Sequence, residues 1–388
     1  MNIVILGQLT FPPSIDLCDF IDPEELICRT PFHSHSWISN LAQGIKGTNE
    51  VHSVTVICFT SLVSKHMDYS YKGVRYLYIK SEGKLFNLLT LYYREFRKVK
   101  KLLKEINPDI IHAQGRQIEA LYSLYSGYPT VLTSHGEIRN ELLSDNISFR
   151  FLRSIILEFL VNRKMKWAIG VSPSCTADLK KFLPEQNVFL IDNAIDYAFF
   201  ENSDLVFNKF FLFVGSLTER KGAFRVVQLL EKFPDFSVKM AFQNKNVAYV
   251  SKIERYLKEN SFEDRVEFLG NLSSIQLTEY IRNCYCVCLP SEFESFGMSL
   301  AECQAVGKPV VASKVGGIPY VISDKKTGLL FSLKETDGLE KNVSFLVNNL
   351  DRAMEMGAYA KKASFDRWHP TSVAQRTIDV YKKIINRC

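Results

Sequence analysis

The chain lacks any apolar run approaching the roughly 18–20 residues needed to cross a bilayer. It has no basic leader with a cleavage site either, and the opening "MNIVILG" reads as a first strand rather than a secretory signal. Solenoid-length repeats and low-complexity tracts are missing. Its basic residues are not interleaved with aromatics along one continuous face, so there is no RNA- or DNA-binding signature. The net charge of +6 is mild: it favours phosphates or an anionic membrane without arguing for nucleic acid. Cysteine offers no disulfide framework. Nine thiols, an odd number in a long chain, imply reduced cysteines and a cytoplasmic setting. One cluster, Cys284, Cys286 and Cys288 in "NCYCVCLP", has the alternation that puts side chains on one face of a strand as small buried hydrophobes. A metal site would need a second cluster, and no Asp-x-Asp is positioned to hold a divalent ion. No cofactor is expected.

What is present is length and alternation. The 388 residues, 46% of them hydrophobic, suffice for two domains with buried cores. Apolar runs at 2–7, 53–59, 74–79, 109–113, 130–134, 167–172 and 188–191 read as strands, and helical stretches separate most of them, notably 86–106 and 147–166. The pattern pauses over "DNAIDYAFFENSDLVFN" (192–208). It restarts with strands at 210–215, 236–242, 265–270, 284–290, 309–313 and 328–332. Strands that are apolar throughout belong to parallel sheets covered on both faces. The fold class is therefore α/β, with two doubly wound Rossmann-like domains at 1–198 and 205–368. A helix over 369–388 is expected to pack back toward the first domain. Two such domains facing each other form a cleft at the carboxyl ends of their strands, where ligands bind.

The stretch "SEFESFGMSLAECQAVGKPVVAS" (291–313) carries two acids, Glu294 and Glu302, around a Phe-Gly pair that follows a buried strand. A helix starting near Phe296 would offer unpaired N–H groups and a positive dipole end to an anion, and Gly297 would let a ligand approach the backbone. Glu302 falls roughly 80° around from Glu294 at helical spacing. The pair reads either as solvated surface residues or as two carboxylates gripping separate sets of vicinal hydroxyls, such as those on the hexose and ribose of a nucleotide sugar. A second turn, "GSLTERKG" (215–222), ends a strand and places Lys221, a flexible point charge, beside Arg220, a planar fork, near a helix start at Gly222. His135 closes the strand "TVLTS" at its carboxyl edge, where active-site groups gather.

The segment "PSEFESFGMSLAECQAVGKPVVASKVGGIPYVISDKKTGLLF" resembles the signature of glycosyltransferase family 4, a group of retaining enzymes with the GT-B fold. The resemblance extends over nearly the whole chain and is strongest over 210–332, with "FVGSLTERKG", "VEFLGNLSSIQLTEYI", "TSHG" and "NPDIIHAQG" among its carriers. It implies that Glu294 contacts the donor sugar and Glu302 the ribose. The backbone around Phe296, Gly297 and Met298 would line sugar and phosphate. Lys221 would bind the diphosphate, and the loop at Gly270 and Asn271 would hold the base. His135 would approach the donor sugar, so Glu294, His135 and Lys221 form the catalytic set. At Ser216 family members usually carry Arg, and Arg220 is the substitute. The long loop over 8–37 lacks the family's Gly-Gly pair; its His33 and His35 reach an acceptor or cap the helix near Trp37. Ala194 and Tyr320 also depart from the pattern.

The resemblance implies transfer of a sugar from a nucleotide sugar, a UDP-sugar being favoured, to a glycan or lipid-linked glycan in bacterial-type polysaccharide synthesis. A catalytically impaired binding subunit and a nucleotide-sugar epimerase remain as alternatives. The basic amphipathic segments 86–106 and 147–168 read as core-packed helices with solvated faces, or as a surface resting on anionic lipid at the inner face of the cytoplasmic membrane.

Overall fold

The computed structural model describes residues 1–7, 36–60, 63, 65–81, 92–136, 149–202 and 204–387, with the backbone alone for 149–153. His33, His35, most of the 8–37 loop, and the beginnings of the 86–106 and 147–168 segments lie outside the described residues. The described chain falls into two compact units. It leaves the first after Ala194, forms the second over Ile195–His369, and re-enters the first at Pro370.

The first unit runs β1 (Asn2–Gly7), α1 (Ser36–Lys46), β2 (Ser53–Thr60), β3 (Met67–Tyr71), β4 (Val74–Lys80), α2 (Tyr93–Ile106), β5 (Ile110–Gln114), α3 (Ile118–Leu124), β6 (Thr130–Ser134), α4 (Phe149–Lys164), β7 (Ala168–Gly170), α5 (Pro173–Leu179) and β8 (Val188–Leu190). Its sheet has the order β3-β4-β2-β1-β5-β6-β7-β8. All pairs are parallel except β3–β4, where Asp68 faces Leu77 and Tyr71 faces Val74. That edge hairpin does not follow from apolar runs, because β3 alternates between half-buried and exposed residues. It turns on Lys72 and Gly73, both at positive φ (46° and 77°), as a two-residue hairpin demands.

Side chains from both faces of the sheet are buried. One face packs Ile3, Ile5, Val54 and Val56 under Ile38, Leu41 and Ile45 of α1. The other packs Val4, Leu6 and Ile57 against Val99 and Leu103 of α2. On α2, Glu95 does not belong to the solvated basic face: it is buried, accepting hydrogen bonds from Ser81 and from Tyr122 (2.8 Å).

The second unit contains β9 (Phe210–Val214), α6 (Ala223–Gln228), β10 (Ser237–Ala241), α7 (Val247–Glu259), β11 (Val266–Gly270), α8 (Ser274–Asn283), β12 (Cys286–Leu289), α9 (Met298–Val306), β13 (Val310–Ser313), α10 (Ile318–Val321), β14 (Leu329–Phe331), α11 (Gly338–Asn348) and α12 (Leu350–Trp368). The parallel sheet has the order β11-β10-β9-β12-β13-β14. Numbered from β9, this is 3-2-1-4-5-6, the doubly wound dinucleotide-binding order. Its core includes Phe211 stacked on Phe236 with centroids 4.7 Å apart. Cys284, Cys286 and Cys288 are all buried, and burial pushes the Cys284 thiol up. Cys284 precedes the strand, so the one-face expectation holds for Cys286 and Cys288, whose sulfurs lie 3.9 Å apart.

The chain closes with α13 (Pro370–Ile385), which belongs to the first unit. Its Val373, Ile378, Tyr381 and Ile384 join the face covered by α1. Among the described residues, no helix is long and apolar enough to cross a membrane.

Candidate functional site

In a 3-2-1-4-5-6 sheet the winding direction reverses between the first and fourth strands, and ligands bind beyond the carboxyl ends there. In the second unit those strands are β9 and β12. The residues following them are the two stretches singled out by sequence.

After β9 the chain makes a tight 3-10 turn, Glu219–Lys221, ended by Gly222 at φ 73°. The helix that follows, α6, has only six residues, so the expected second helix terminus is reduced to a turn presenting cations. After β12 the chain passes through Pro290–Phe296 to α9. The two loops are bound together: the Glu292 N–H donates to Arg220 O at 2.8 Å, and Arg220 Nη1 donates to Phe293 O at 3.3 Å. Lys221 Nζ donates to Glu294 Oε1, and Ser291 Oγ donates to the same oxygen at 3.0 Å. The lysine and glutamate side chains are 18% and 11% exposed, so this ion pair is largely shielded from water.

The helix begins at Met298, two residues later than the sequence indicates. Glu294 is therefore a loop residue, and the helical angle between it and Glu302 has no meaning. Gly297 is the N-cap at φ 95°, a backbone that side chains other than glycine rarely adopt. The first intrahelical bonds run from Leu300 and Ala301 N–H to Gly297 O, at 3.0 and 3.2 Å. The amides before them belong to the open end of the helix. The Phe296 ring does not line this end: it is buried, edge-on to Trp368 at 6.4 Å, leaving its backbone for the site.

The motif "VGGIP" supports the Glu294 loop from beneath. Gly317 N–H donates to Glu294 O at 2.7 Å. A Cβ on Gly316 would lie 2.1 Å from Glu294 O, and one on Gly317 would lie 2.2 Å from Ser295 O. The glycine pair lets two backbones meet where any side chain would collide.

Glu302 sits on α9, half-buried. Burial, and secondarily the nearby Asp196 carboxylate, push its pKa up to about 8. A carboxyl held neutral near pH 7 both donates and accepts, which suits a diol. Asp196 is buried, with Oδ1 accepting from Ala198 N–H at 3.1 Å. Sequence reasoning missed it; its only signal was its place in the "DNAID" pause between domains.

The remaining residues expected at the donor site are more dispersed. Ser216 is half-buried beside the turn, and its carbonyl accepts from Thr218 N–H at 3.0 Å. Gly270 ends β11 at φ 70°, with Asn271 exposed beyond it.

His135 follows β6 in the first unit. Its Nε2 lies 2.7 Å from Gln114 Oε1, and its ring is 4.9 Å from that of Trp37. Gln114 Nε2 in turn lies 3.1 Å from His112 Nε2. His112 is buried, with Thr133 Oγ1 at 2.6 Å from Nε2 and Tyr381 Oη at 2.6 Å from Nδ1. Burial lowers its pKa to about 3, so it stays neutral near pH 7. A small cavity of about 20 Å³ adjoins this chain, lined among others by Trp37, Gln114, Thr133, Asp192 and Asn193. Nearby, the buried Arg116 pairs with Glu158 (3.1 Å) and Asp178 (2.8 Å) and reaches Gly136 O at 3.5 Å.

Two α/β units, one of them in 3-2-1-4-5-6 order with a lysine and two acids around its switch point, define a doubly wound two-unit architecture. The comparisons with known proteins give the family. Residues 32–199 match the family model described as Glycosyltransferase Family 4, and residues 200–363 the one described as Glycosyl transferases group 1. The chain belongs to glycosyltransferase family 4 and has the GT-B fold. It is 25% identical over 289 residues to an uncharacterized glycosyltransferase of Methanocaldococcus jannaschii, covering 70% of this chain and 78% of that protein. The chain spans less than half the length of other curated relatives that it matches. Among solved structures, the sucrose-phosphate synthase of Thermosynechococcus elongatus superposes with a TM-score of 0.77 at 17% identity, over all of both chains. An Anabaena protein solved with UDP and glucose gives a TM-score of 0.71 at 17% identity, over 98% of this chain and 99% of that one.

Proposed function

We propose that the protein is a retaining, metal-independent hexosyltransferase. It would take a nucleotide sugar, with UDP-sugars favoured, and pass the hexose to a glycan or lipid-linked glycan during polysaccharide synthesis. The observation carrying this reading is the Lys221–Glu294 pair at the switch point of the second unit. A cation for a diphosphate and an acceptor for sugar hydroxyls stand side by side there, on loops held by the Gly316–Gly317 contact. A solved relative at 17% identity carries UDP and glucose, which supports the choice of base.

In this reading Lys221 and Arg220 bind the diphosphate, helped by the open end of α9. Glu294 orients the sugar and Glu302 holds the ribose. The backbone from Phe296 to Met298 lines sugar and phosphate, Ser216 adjoins the diphosphate, and Gly270 with Asn271 flank the base. His135 serves the sugar being transferred. The reaction is front-face substitution: the anomeric C–O bond to the diphosphate breaks, the acceptor oxygen bonds on the same face, and a diphosphate oxygen takes the acceptor's proton. Positioning and stabilisation of the leaving charge provide the acceleration.

A weak contact with anionic membrane is part of the proposal. On α4, Ile156 and Phe159 are 51% and 61% exposed, near the basic residues Arg163 and Lys164. Such a face suits the boundary between headgroups and acyl chains.

The deciding experiment is a thermal-shift screen against UDP, GDP, ADP and their common sugars. A ligand at a hundred times its Kd stabilises by about 2.7 kcal/mol. One base family is expected to raise Tm, and no response to any of them would refute the reading. Slow release of UDP from UDP-glucose without acceptor separates an enzyme from an inactive binding subunit. An unchanged hexose would exclude an epimerase.

A further inference from the structure

The hydrogen-bonded chain behind His135 has a directional property. An amide side chain has one accepting end and one donating end, so a glutamine between two imidazoles imposes opposite demands on them. Gln114 turns Oε1 toward His135 Nε2 and Nε2 toward His112 Nε2. The first contact requires a proton on His135 Nε2. The second requires a lone pair on His112 Nε2, which places the proton of neutral His112 on Nδ1, 2.6 Å from Tyr381 Oη. Thr133 adds a hydroxyl 2.6 Å from His112 Nε2, a second group able to donate to that lone pair. With the amide reversed, both imidazoles would have to move their protons, His112 to Nε2 and His135 to Nδ1. The two patterns cannot mix.

We propose that Gln114 is a positioning residue that fixes the proton of His135 on Nε2, and that His112 and Tyr381 hold Gln114 in the orientation that does so. Three observations converge. The chain is continuous from α13 through β5 to the end of β6, with each link between 2.6 and 3.1 Å. Its inner members are buried: His112, Gln114 and Tyr381 are 1%, 4% and 0% exposed. And β5 sets the spacing, because His112 and Gln114 are two apart on one strand and so share a face. A neutral His135 fixed in this way keeps Nδ1 as its lone-pair nitrogen, the form able to accept a proton or hydrogen bond from a sugar hydroxyl. That consequence rests on the proposed role of His135 in transfer; the proton placement does not.

The test reads the protons directly. The full chain, with seven histidines, is labelled with ¹⁵N-histidine, and its imidazole resonances are assigned by single histidine replacements. His135 is expected as the Nε2–H tautomer and His112 as the Nδ1–H tautomer. In Gln114→Glu the carboxylate can only accept, so the His112 proton is expected to move to Nε2 while His135 stays unchanged. In Gln114→Leu, His135 is expected to spread over both tautomers. Release of UDP from UDP-glucose should then fall roughly 3- to 10-fold in kcat, the equivalent of one neutral hydrogen bond, with KM kept within about twofold. Gln114→Glu should restore most of that rate, which a role in packing alone would not.

A wild-type His135 carrying its proton on Nδ1, or a His112 tautomer unmoved by Gln114→Glu, overturns the proposal. If the Gln114 variants fail to fold, the wild-type spectrum alone decides: a His112 carrying its proton on Nε2 overturns the proposal. Tautomers that behave as expected while Gln114→Leu keeps full turnover would uphold the proton placement and remove His135 from the transfer reaction.

Discussion

Replacing Glu294 with glutamine should have two effects of opposite sign. In the ligand-free protein the charge of Lys221 is neutralised by Glu294, so a diphosphate must displace a carboxylate to reach the ammonium. It must also approach that carboxylate's negative charge. At about 7 Å and an effective dielectric near 20, the repulsion is on the order of 2 kcal/mol. The two side chains keep 18% and 11% of their exposure, so solvent screening leaves about 1 kcal/mol. Glu294→Gln should therefore bind UDP about fivefold more tightly, and less so in high salt. The same change replaces a charge-assisted hydrogen bond to the sugar by a neutral one. That costs about 1.5 kcal/mol, or about tenfold in kcat. Calorimetric titration with UDP at two salt concentrations, paired with UDP release from UDP-glucose, checks both arms. A variant that binds UDP more weakly than wild type would refute the argument, because Lys221 would then depend on Glu294 for its position rather than compete with it for the phosphate.

Other outcomes follow from the same geometry. Glu302 titrates at about 8 in the folded chain against an ordinary 4.5, so its contribution to stability is complete below pH 4.5 and is lost as pH rises through 8. Glu302→Gln should match wild type in Tm near pH 5 and exceed it near pH 9; parallel curves would rule out the raised pKa. Gly317→Ala drives a Cβ to 2.2 Å from the Ser295 carbonyl, a rigid backbone neighbour. It should destabilise by about 2 kcal/mol and lower Tm by ~4–8 °C; an unchanged Tm would show that the loops are not pressed together. Phe159→Asp should reduce salt-sensitive sedimentation with phosphatidylserine vesicles, and a wild-type chain that does not sediment at all ends the membrane contact.

The sheets could be read from sequence because buried parallel strands are apolar throughout, as "FFLFV" and "SVTVICF" are. The edge strand β3 escaped that reading since its alternating "MDYSY" carries polar residues on one side. Glu294 and Glu302 were visible through local motif chemistry. Which side chains would pair was not, although Lys221 itself was singled out. Lys221 is 73 residues from Glu294, and Tyr381 is 269 from His112, separations at which spacing carries no information. Asp196 was hidden for a related reason: its influence on Glu302 comes from shared burial across a fold, not from any pattern in "DNAID". Composition equally gave no hint that α6 would stop after six residues and leave a cationic turn where a full helix was expected.

The return of α13 to the first unit makes that unit discontinuous, and this affects how the protein is born. On the ribosome, β1 through β8 emerge early, yet the aliphatic and tyrosine side chains of Pro370–Ile385 that seal one face of their sheet do not exist until the second unit has been translated. At 5–20 residues per second, that leaves the nascent sheet uncovered for roughly 10–40 s. The second unit, an uninterrupted stretch of chain, can mature during that wait. A stalled polypeptide ending before Pro370 should therefore recruit chaperones through an exposed Ile38–Ile45 surface.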